Sequence, residues 1–256
     1  MSNLLINYLN KSLTAYHAHD NAVKLLQKNG FVELKENQEY KIKTGGKYYV
    51  SKDGSALIAF KVGKEFAFNV VASHSDSPCF KLKYNPEMKV ENYVKFNVEK
   101  YGGGLWASFF DRPLKIAGSV VVNEDNRLLR KTVQTPFSIV IPSQALHINR
   151  EANEKLSIQL QTDVRPLYTL DDSVTDLVAS AFDGMEAIAQ DLFIVSAEKP
   201  YTFGKDNELL AAPRVDNLTS VYAILSSLLT VENCDGVCMA AFFNHEEIGN
   251  KTAQGA

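Results

Sequence analysis

Several things are scarce in this 256-residue sequence, and each scarcity excludes something. Cysteine occurs three times, at Cys79, Cys234 and Cys238, an odd number at no zinc-finger spacing. Cys234 and Cys238 flank or lie in an apolar strand-like run, so all three are expected as reduced core thiols. A charge excess of either sign is missing: 27 Lys and Arg face 30 Asp and Glu, for a formal net charge of -3. That balance speaks against a nucleic-acid groove and a membrane-surface patch. No apolar run approaches the roughly 20 residues that cross a bilayer. Met1-Ser2-Asn3 opens without the basic and apolar regions of a secretory signal. The expected address is cytoplasmic, with neither nucleic acid nor membrane as partner. What remains is 45% hydrophobic, 10% aromatic and 22% charged, the balance of a folded globule.

Residues 3 to 29 read as two helices with a break near Ser12 to Tyr16. Leu4, Leu5, Tyr8 and Leu9, then Ala22, Val23 and Leu26, fall at three- and four-residue spacings, and Gly30 supplies a C-terminal stop. From Phe31 to Phe60 short β-type segments alternate with Gly45-Gly46 and Asp53-Gly54, which are hairpin-type turn signals. Phe66 to Ala72 is mostly apolar, the pattern of a central strand covered on both faces, and it runs straight into His74. Between about Asn85 and Gly204 the character is β-rich, with segments such as Gly118 to Val122, Phe137 to Ile141 and Leu156 to Leu160. Helical patterning is expected at Asp172 to Gln190 and Asn217 to Thr230, and a second buried strand at Val237 to Phe243. Lys251 to Ala256 carry neither a closing helix nor a polar tail, so the sequence reads as stopping within a domain.

Three groups of residues can do chemistry. In Ser73-His74-Ser75-Asp76-Ser77-Pro78, at a strand exit, an imidazole can offer one nitrogen to a metal while a carboxylate holds the other and fixes the tautomer. Alone, His-x-Asp is more often a polar turn. In Pro213-Arg214-Val215-Asp216-Asn217, before a helix, Asp216 can bridge two divalent ions or merely cap the helix. In Asn244-His245-Glu246-Glu247-Ile248-Gly249, adjacent acids can divide the roles of metal ligand and general base, where an ordinary Glu-Glu pair would be a solvated face. Their shared placement at two strand exits and one helix entrance argues against coincidence, because ligand crevices in open α/β sheets lie outside the carboxyl ends of strands. Oxygen and imidazole donors without thiolate favour a catalytic zinc, manganese or cobalt site. Gly102-Gly103-Gly104 lacks nucleotide-loop spacing and reads as tight backbone packing. His17 and His19 read as polar groups of the first helical region, and His147 on spacing alone as an exposed histidine.

Together these motifs resemble the M18 family of metallopeptidases, the aspartyl aminopeptidases. The resemblance is carried by Tyr16-His17 with Asn29-Gly30-Phe31, by Ser73 to Pro78, and by Tyr101-Gly102-Gly103-Gly104-Leu105-Trp106 with Phe110-Asp111-Arg112-Pro113-Leu114. It continues through Ile141-Pro142-Ser143 with His147, Pro213 to Leu218, and Glu246-Glu247-Ile248-Gly249 with Gln254-Gly255-Ala256. It implies an α/β fold in which a zinc-exopeptidase-like α/β/α catalytic domain is interrupted by a β-rich dimerisation domain. The corresponding segments are 1–86 and 206–256 for the catalytic domain, the second of them cut short, and 87–205 for the β-rich dimerisation and lid domain. It also implies that His74, Asp216 and Glu247 are metal ligands, that Glu246 is the general base, and that Asp76 orients His74. His147 would bind substrate in a neighbouring subunit.

The resemblance further implies two divalent ions, zinc or else manganese or cobalt, a homo-oligomer of dodecameric form, and peptide substrates with a free N-terminus. The expected reaction is removal of N-terminal Asp or Glu. A broader neutral-residue aminopeptidase, or a catalytically incomplete fragment acting only in assembly, are the alternatives. Two departures from the family pattern stand out. The acidic residue usual at the position of Asn244 or His245 is missing, and family chains exceed 400 residues, with an Asp and a His ligand lying beyond the stretch matched here.

Overall fold

The computed structural model describes residues 3–170, 176–182, 184–232, 234–249 and 251–255. It begins with α1 (Asn3–Lys11) and α2 (Ala15–Lys28), separated at Ser12 to Thr14. Helix α2 places Ala18, Ala22 and Leu26 at four-residue spacing on one buried stripe. Its end is a Schellman arrangement: Gly30 N–H donates to Gln27 O, Phe31 N–H donates to Leu26 O, and Gly30 takes φ +78°. Phe31 and Leu26, the pair that such an ending brings together, are both buried.

Strands β1 (Val32–Glu33), β2 (Lys47–Lys52), β3 (Ala56–Val62) and β4 (Phe68–His74) follow. The β2–β3 hairpin turns through Asp53 and Gly54, both at positive φ, as the turn signal implies. The chain then forms β5 (Cys79–Val90), β6 (Tyr93–Tyr101), a 3₁₀ turn at Trp106–Phe109, β7 (Leu114–Glu124) and β8 (Arg127–Gln134). Next come α3 (Leu160–Asp163), β9 (Leu167–Thr169), α4 (Leu177–Ala181) and β10 (Ala187–Ser196). The chain finishes with β11 (Tyr201–Phe203), β12 (Leu209–Ala211), α5 (Val215–Thr230), β13 (Val237–Phe243) and a 3₁₀ turn at Glu246–Ile248.

These elements fall into two compact units, one made of Met1–Ser77 and Lys199–Ala256, the other of Pro78–Glu198. The first holds a mixed five-stranded sheet in the order β1-β2-β3-β13-β4, where β13 runs antiparallel to β3 and parallel to β4. Leu57 and Ala59 of β3 and Ala240 and Phe242 of β13 form a core with Leu218, Val221 and Leu225 of α5 and with α1 and α2. The second unit is an antiparallel six-stranded sheet in the order β8-β7-β10-β5-β6-β9. Its core gathers Phe80, Phe96, Leu114, Ile116, Leu192 and Ile194. Gly118 is required there, because a Cβ would strike the Asp191 carbonyl of the paired strand.

Four expectations change. Strand β4 is an edge strand rather than a central one, and it is not covered on both faces: Phe68, Val70 and Val71 are each more than half exposed, because the described residues do not pack fully over them. The helix expected at Asp172 to Gln190 is limited to α4, and Ala187 onward joins β10, because pairing with β7 outweighs an ambiguous apolar spacing. Residues 172–175 and 183 of that stretch lie outside the described residues. Leu156 to Leu160 forms no strand among the described residues. Finally, Cys234 and Cys238 are joined as a disulfide, with Cα atoms 6.2 Å apart, in place of reduced thiols. A four-residue separation that includes Gly236 lets the loop entering β13 fold back to that distance.

Candidate metal centre

Every metal-type residue of the three sequence groups belongs to the first unit. Strand β4 ends at His74, and its parallel neighbour β13 ends opposite it, with Phe243 in register with His74. The two exits therefore leave the sheet side by side. Ser75 continues the pairing, its N–H and its hydroxyl both donating to Phe243 O. Beyond β13 the backbone of His245 takes φ +69° and opens the short 3₁₀ turn that carries Glu246 and Glu247. Asn244 is buried, and its side-chain oxygen accepts the His245 N–H at 2.8 Å. In this position a neutral amide fixes the turn on which both acids stand.

The imidazole of His74 is held from one side. Its Nδ1 lies 3.3 Å from Asp76 Oδ1 and 3.2 Å from the Asp76 carbonyl. Both neighbours are acceptors, so a neutral ring keeps its proton on Nδ1 and leaves the Nε2 lone pair for a metal. That lone pair faces more oxygen: Asp216 Oδ1 at 3.3 Å and Glu246 Oε2 at 3.9 Å. Donor atoms of His74, Glu246 and Glu247 lie within 4.8 Å of one another. Nε2 held against carboxylate oxygens calls for a proton or a metal cation between them, and one imidazole with carboxylates is a donor set that zinc accepts. The residues present thus fit a zinc ion by their chemistry.

Asp76 does two things. It lies 4% exposed, its Oδ1 on the His74 ring and its Oδ2 accepting the Glu247 N–H at 3.2 Å. One carboxylate therefore ties the exit of β4 to the turn after β13. Asp216 stands at the entrance of α5, where it and Asn217 depart from helical backbone angles. Ser77 Oγ donates to the Asp216 carbonyl at 2.8 Å, so the backbone of Asp216 is fixed while its side chain stays open to solvent. Arg214, two residues earlier, has φ +60° and donates from Nε to Ser12 O at 3.0 Å, at the end of α1. No spacing rule in the sequence marks Ser77 or Arg214; their roles come from long-range contacts.

Of the residues singled out from the sequence, His74, Asp76, Asp216, Glu246 and Glu247 are therefore brought together. His147 lies in the second unit, in an exposed turn of the segment after Ile141. In that unit Asp111 accepts the Ser143 N–H at 2.9 Å, and this contact with Ser143 holds its carboxyl below the usual range. Gly104 packs tightly, since a Cβ there would meet Pro78 at 2.9 Å, which agrees with a packing role for the Gly-rich segment. His17 is half-buried with Nδ1 2.9 Å from Thr14 Oγ1. Burial first, with the Arg214 and Lys24 charges adding and Asp20 opposing, lowers its pKa to about 4. No helix among the described residues is long and apolar enough to cross a membrane.

Comparison with known proteins bears directly on this geometry. Residues 8–256 match the family described as Aminopeptidase I zinc metalloprotease (M18). The chain is 37% identical over 273 aligned residues to the probable M18 family aminopeptidase 2 of Clostridium novyi (strain NT), covering 100% of this chain and 63% of that relative. Among solved structures it is similar to the cryo-EM structure of the Ape4 and Nbr1 complex, with a TM-score of 0.92 and 30% identity, covering 98% of this chain and 55% of that one. It is also similar to the mApe1 dodecamer of S. cerevisiae, with a TM-score of 0.83 and 26% identity, covering 98% of this chain and 62% of that one. The chain thus spans less than two thirds of the length of each.

Proposed function

This chain belongs to the M18 family of zinc metallopeptidases, and on that premise we propose that it carries the first part of a dinuclear aminopeptidase site that removes Asp or Glu from peptide N-termini. The observation that carries the reading is the His74 Nε2 lone pair facing Asp216 and Glu246 while Asp76 occupies the other ring nitrogen. His74, Asp216 and Glu247 would hold the metal, zinc by family, with Asp216 shared between two ions. Bound zinc supplies Lewis acidity toward the scissile carbonyl and makes the attacking water more acidic.

The chain's own residues do the rest. Glu246, about half exposed and 3.9 Å from His74, takes the proton of the attacking water and returns it to the leaving amine. Asp76 keeps the proton of His74 on Nδ1 and anchors the backbone of Glu247, so that both ligands keep one orientation as charge develops. His147, from a neighbouring subunit, contacts substrate in a homo-oligomer like the mApe1 dodecamer. The β-rich unit serves as the dimerisation and lid domain. The selection of acidic residues rests on the family resemblance, and a comparison of Asp-, Glu- and Leu-anilide turnover by the assembled enzyme decides between it and a neutral preference.

Elemental mass spectrometry of the chain equilibrated with zinc tests the ligand set. Glu246→Gln is expected to keep its zinc and lower turnover 10²- to 10⁴-fold. His74→Ala is expected to lose zinc. Equal zinc in His74→Ala and wild type removes His74 from the ligand set, and undiminished turnover in Glu246→Gln removes Glu246 as the base.

A further inference from the structure

The three cysteines divide between the two units. Cys79 belongs to the second, whereas Cys234 and Cys238 both belong to the first and are joined to each other. Cys234 lies in the connection from α5 to β13. Cys238 is the second residue of β13, in register with Lys61 of β3 on one side and Asn69 of β4 on the other. Both are half-buried, so neither is sealed inside the core.

The path of this connection does not depend on the bond. Gly63 N–H donates to Gly236 O at 2.6 Å, Glu65 N–H to Asp235 O at 2.7 Å, and Val237 N–H to Ala67 O at 2.6 Å. These bonds tie the segment to the residues between β3 and β4. Gly63 permits the close approach, because a Cβ there would strike the Cys234 and Asp235 carbonyls. With the disulfide open, the Cys234 thiol still has an acceptor, since its Sγ lies 2.9 Å from the Gly236 carbonyl. Backbone pairing therefore keeps the two sulfurs near each other in either state. Disulfide stabilisation grows with the length of loop closed, and a sequence separation of 4 closes a very short one. Such a bond adds little to global stability, so holding the fold together is a poor account of it.

We propose that Cys234 and Cys238 form a reversible thiol–disulfide exchange site whose reaction partners are low-molecular-weight thiols and disulfides. The thiolate of one cysteine attacks a sulfur of the small disulfide RSSR, whose S–S bond breaks with RS⁻ leaving. The second cysteine then displaces the remaining RS⁻ from the mixed disulfide. Two protein thiols and one RSSR thus give one protein disulfide and two RSH; the protein loses two electrons, RSSR gains them, and the thiol protons end on the released RS⁻. Excess RSH drives the same steps backward. Closing the bond cross-links the entry of β13 to the strand itself, and opening it lets that entry fray. The segment so controlled joins α5, which opens with Asp216, to β13, which leads into Glu246 and Glu247. The inference rests on the cysteine pair and its backbone ties, and is independent of which residues bind zinc.

The test equilibrates the purified chain in mixtures of reduced and oxidised glutathione, from excess thiol to excess disulfide. Each sample is then alkylated and read by peptide mass spectrometry, with circular dichroism and hydrogen exchange in parallel. The expected result is that Cys234 and Cys238 are alkylated together in excess thiol and protected together in excess disulfide. The change reverses when the mixture is reversed, and circular dichroism stays the same. In the reduced form the amides of Val237 to Met239 should exchange about 5-fold faster or more, with β7 and β10 unchanged. Cys234→Ser, whose hydroxyl keeps a donor for Gly236 O, should exchange like the reduced form in every mixture; Cys234→Ala serves if the serine variant fails to fold. A bond that survives excess thiol, never forms in excess disulfide, forms between chains, or opens only with loss of the fold overturns the proposal. Equal exchange in the two forms does so too. Because no readout involves zinc or turnover, failure here and failure of the metal assignment are separate results.

Discussion

In the six-stranded sheet of the second unit, Phe80, Phe96, Leu114, Ile116 and Ile194 have no exposed surface, while in the five-stranded sheet of the first unit Phe68, Val70 and Val71 are more than half exposed. Both sheets are rich in the same residue types. The difference lies in what surrounds them. The second unit closes its core with its own side chains, including Trp106 and Phe109 of the 3₁₀ turn. The first has helices α1, α2 and α5 packed on one face of its sheet and an open strand at the β4 end. Every residue of the candidate metal centre belongs to the first unit, at or just beyond the ends of β4 and β13 and at the entrance of α5, which places the chemistry at element ends rather than within a packed core.

That contrast can be broken or sharpened by measurement. The largest expected effect is on the closed core: Phe96→Ala, which removes a buried ring stacked on Tyr168 at 4.9 Å, should cost about 3–5 kcal/mol in denaturant unfolding. A cost below about 1 kcal/mol would mean that the second unit is not the self-sufficient one. Next comes acid sensitivity of the first unit. The His17 pKa is lowered to about 4 from 6.5, so between these values the unfolded chain binds a proton that the folded chain refuses. Stability should therefore be complete above about pH 6.5 and fall by about 2–3 kcal/mol toward pH 4, and His17→Gln should flatten that dependence. Parallel pH profiles of wild type and variant would contradict this.

Smaller effects follow. Asp76→Asn keeps an acceptor for the Glu247 N–H but gives up the charge against the His74 ring, and zinc affinity measured by chelator competition should fall about 10- to 100-fold. An unchanged affinity would leave Asp76 a purely local turn residue. Smallest of all, Val71→Thr on the exposed strand should change stability by no more than about 0.5 kcal/mol. The same replacement at the buried Val120 should cost about 1–3 kcal/mol, because it buries a hydroxyl. Equal costs at the two positions would show that β4 is covered in solution.

Legibility from sequence followed the range of the interactions. The two N-terminal helices, the Gly30 stop, the Asp53-Gly54 turn and strand Val237–Phe243 are written in local spacing, and the structure forms them. The apolar run of β4 was legible as a strand, but the sequence pattern records what a strand is built to contact and not whether that contact is present. The helix expected up to Gln190 was lost to β10 because pairing with β7, about 70 residues away in sequence, decides the matter. At the site, residue types that ligate metals were readable at once. The double use of Asp76, the Ser77 hold on Asp216 and the Arg214 anchor on Ser12 were not, since each joins residues far apart in the chain or acts through the backbone.

The insertion of β13 between β3 and β4 has a consequence for synthesis. Both neighbours are synthesised by residue 74, whereas β13 is complete only at residue 243, after the whole second unit. At ~5–20 residues per second this interval lasts roughly 10–30 s. The second unit is one continuous segment, so it can fold within that time. Until then β3 and β4 have no strand between them, and the gap is closed by the segment that also delivers Glu246 and Glu247.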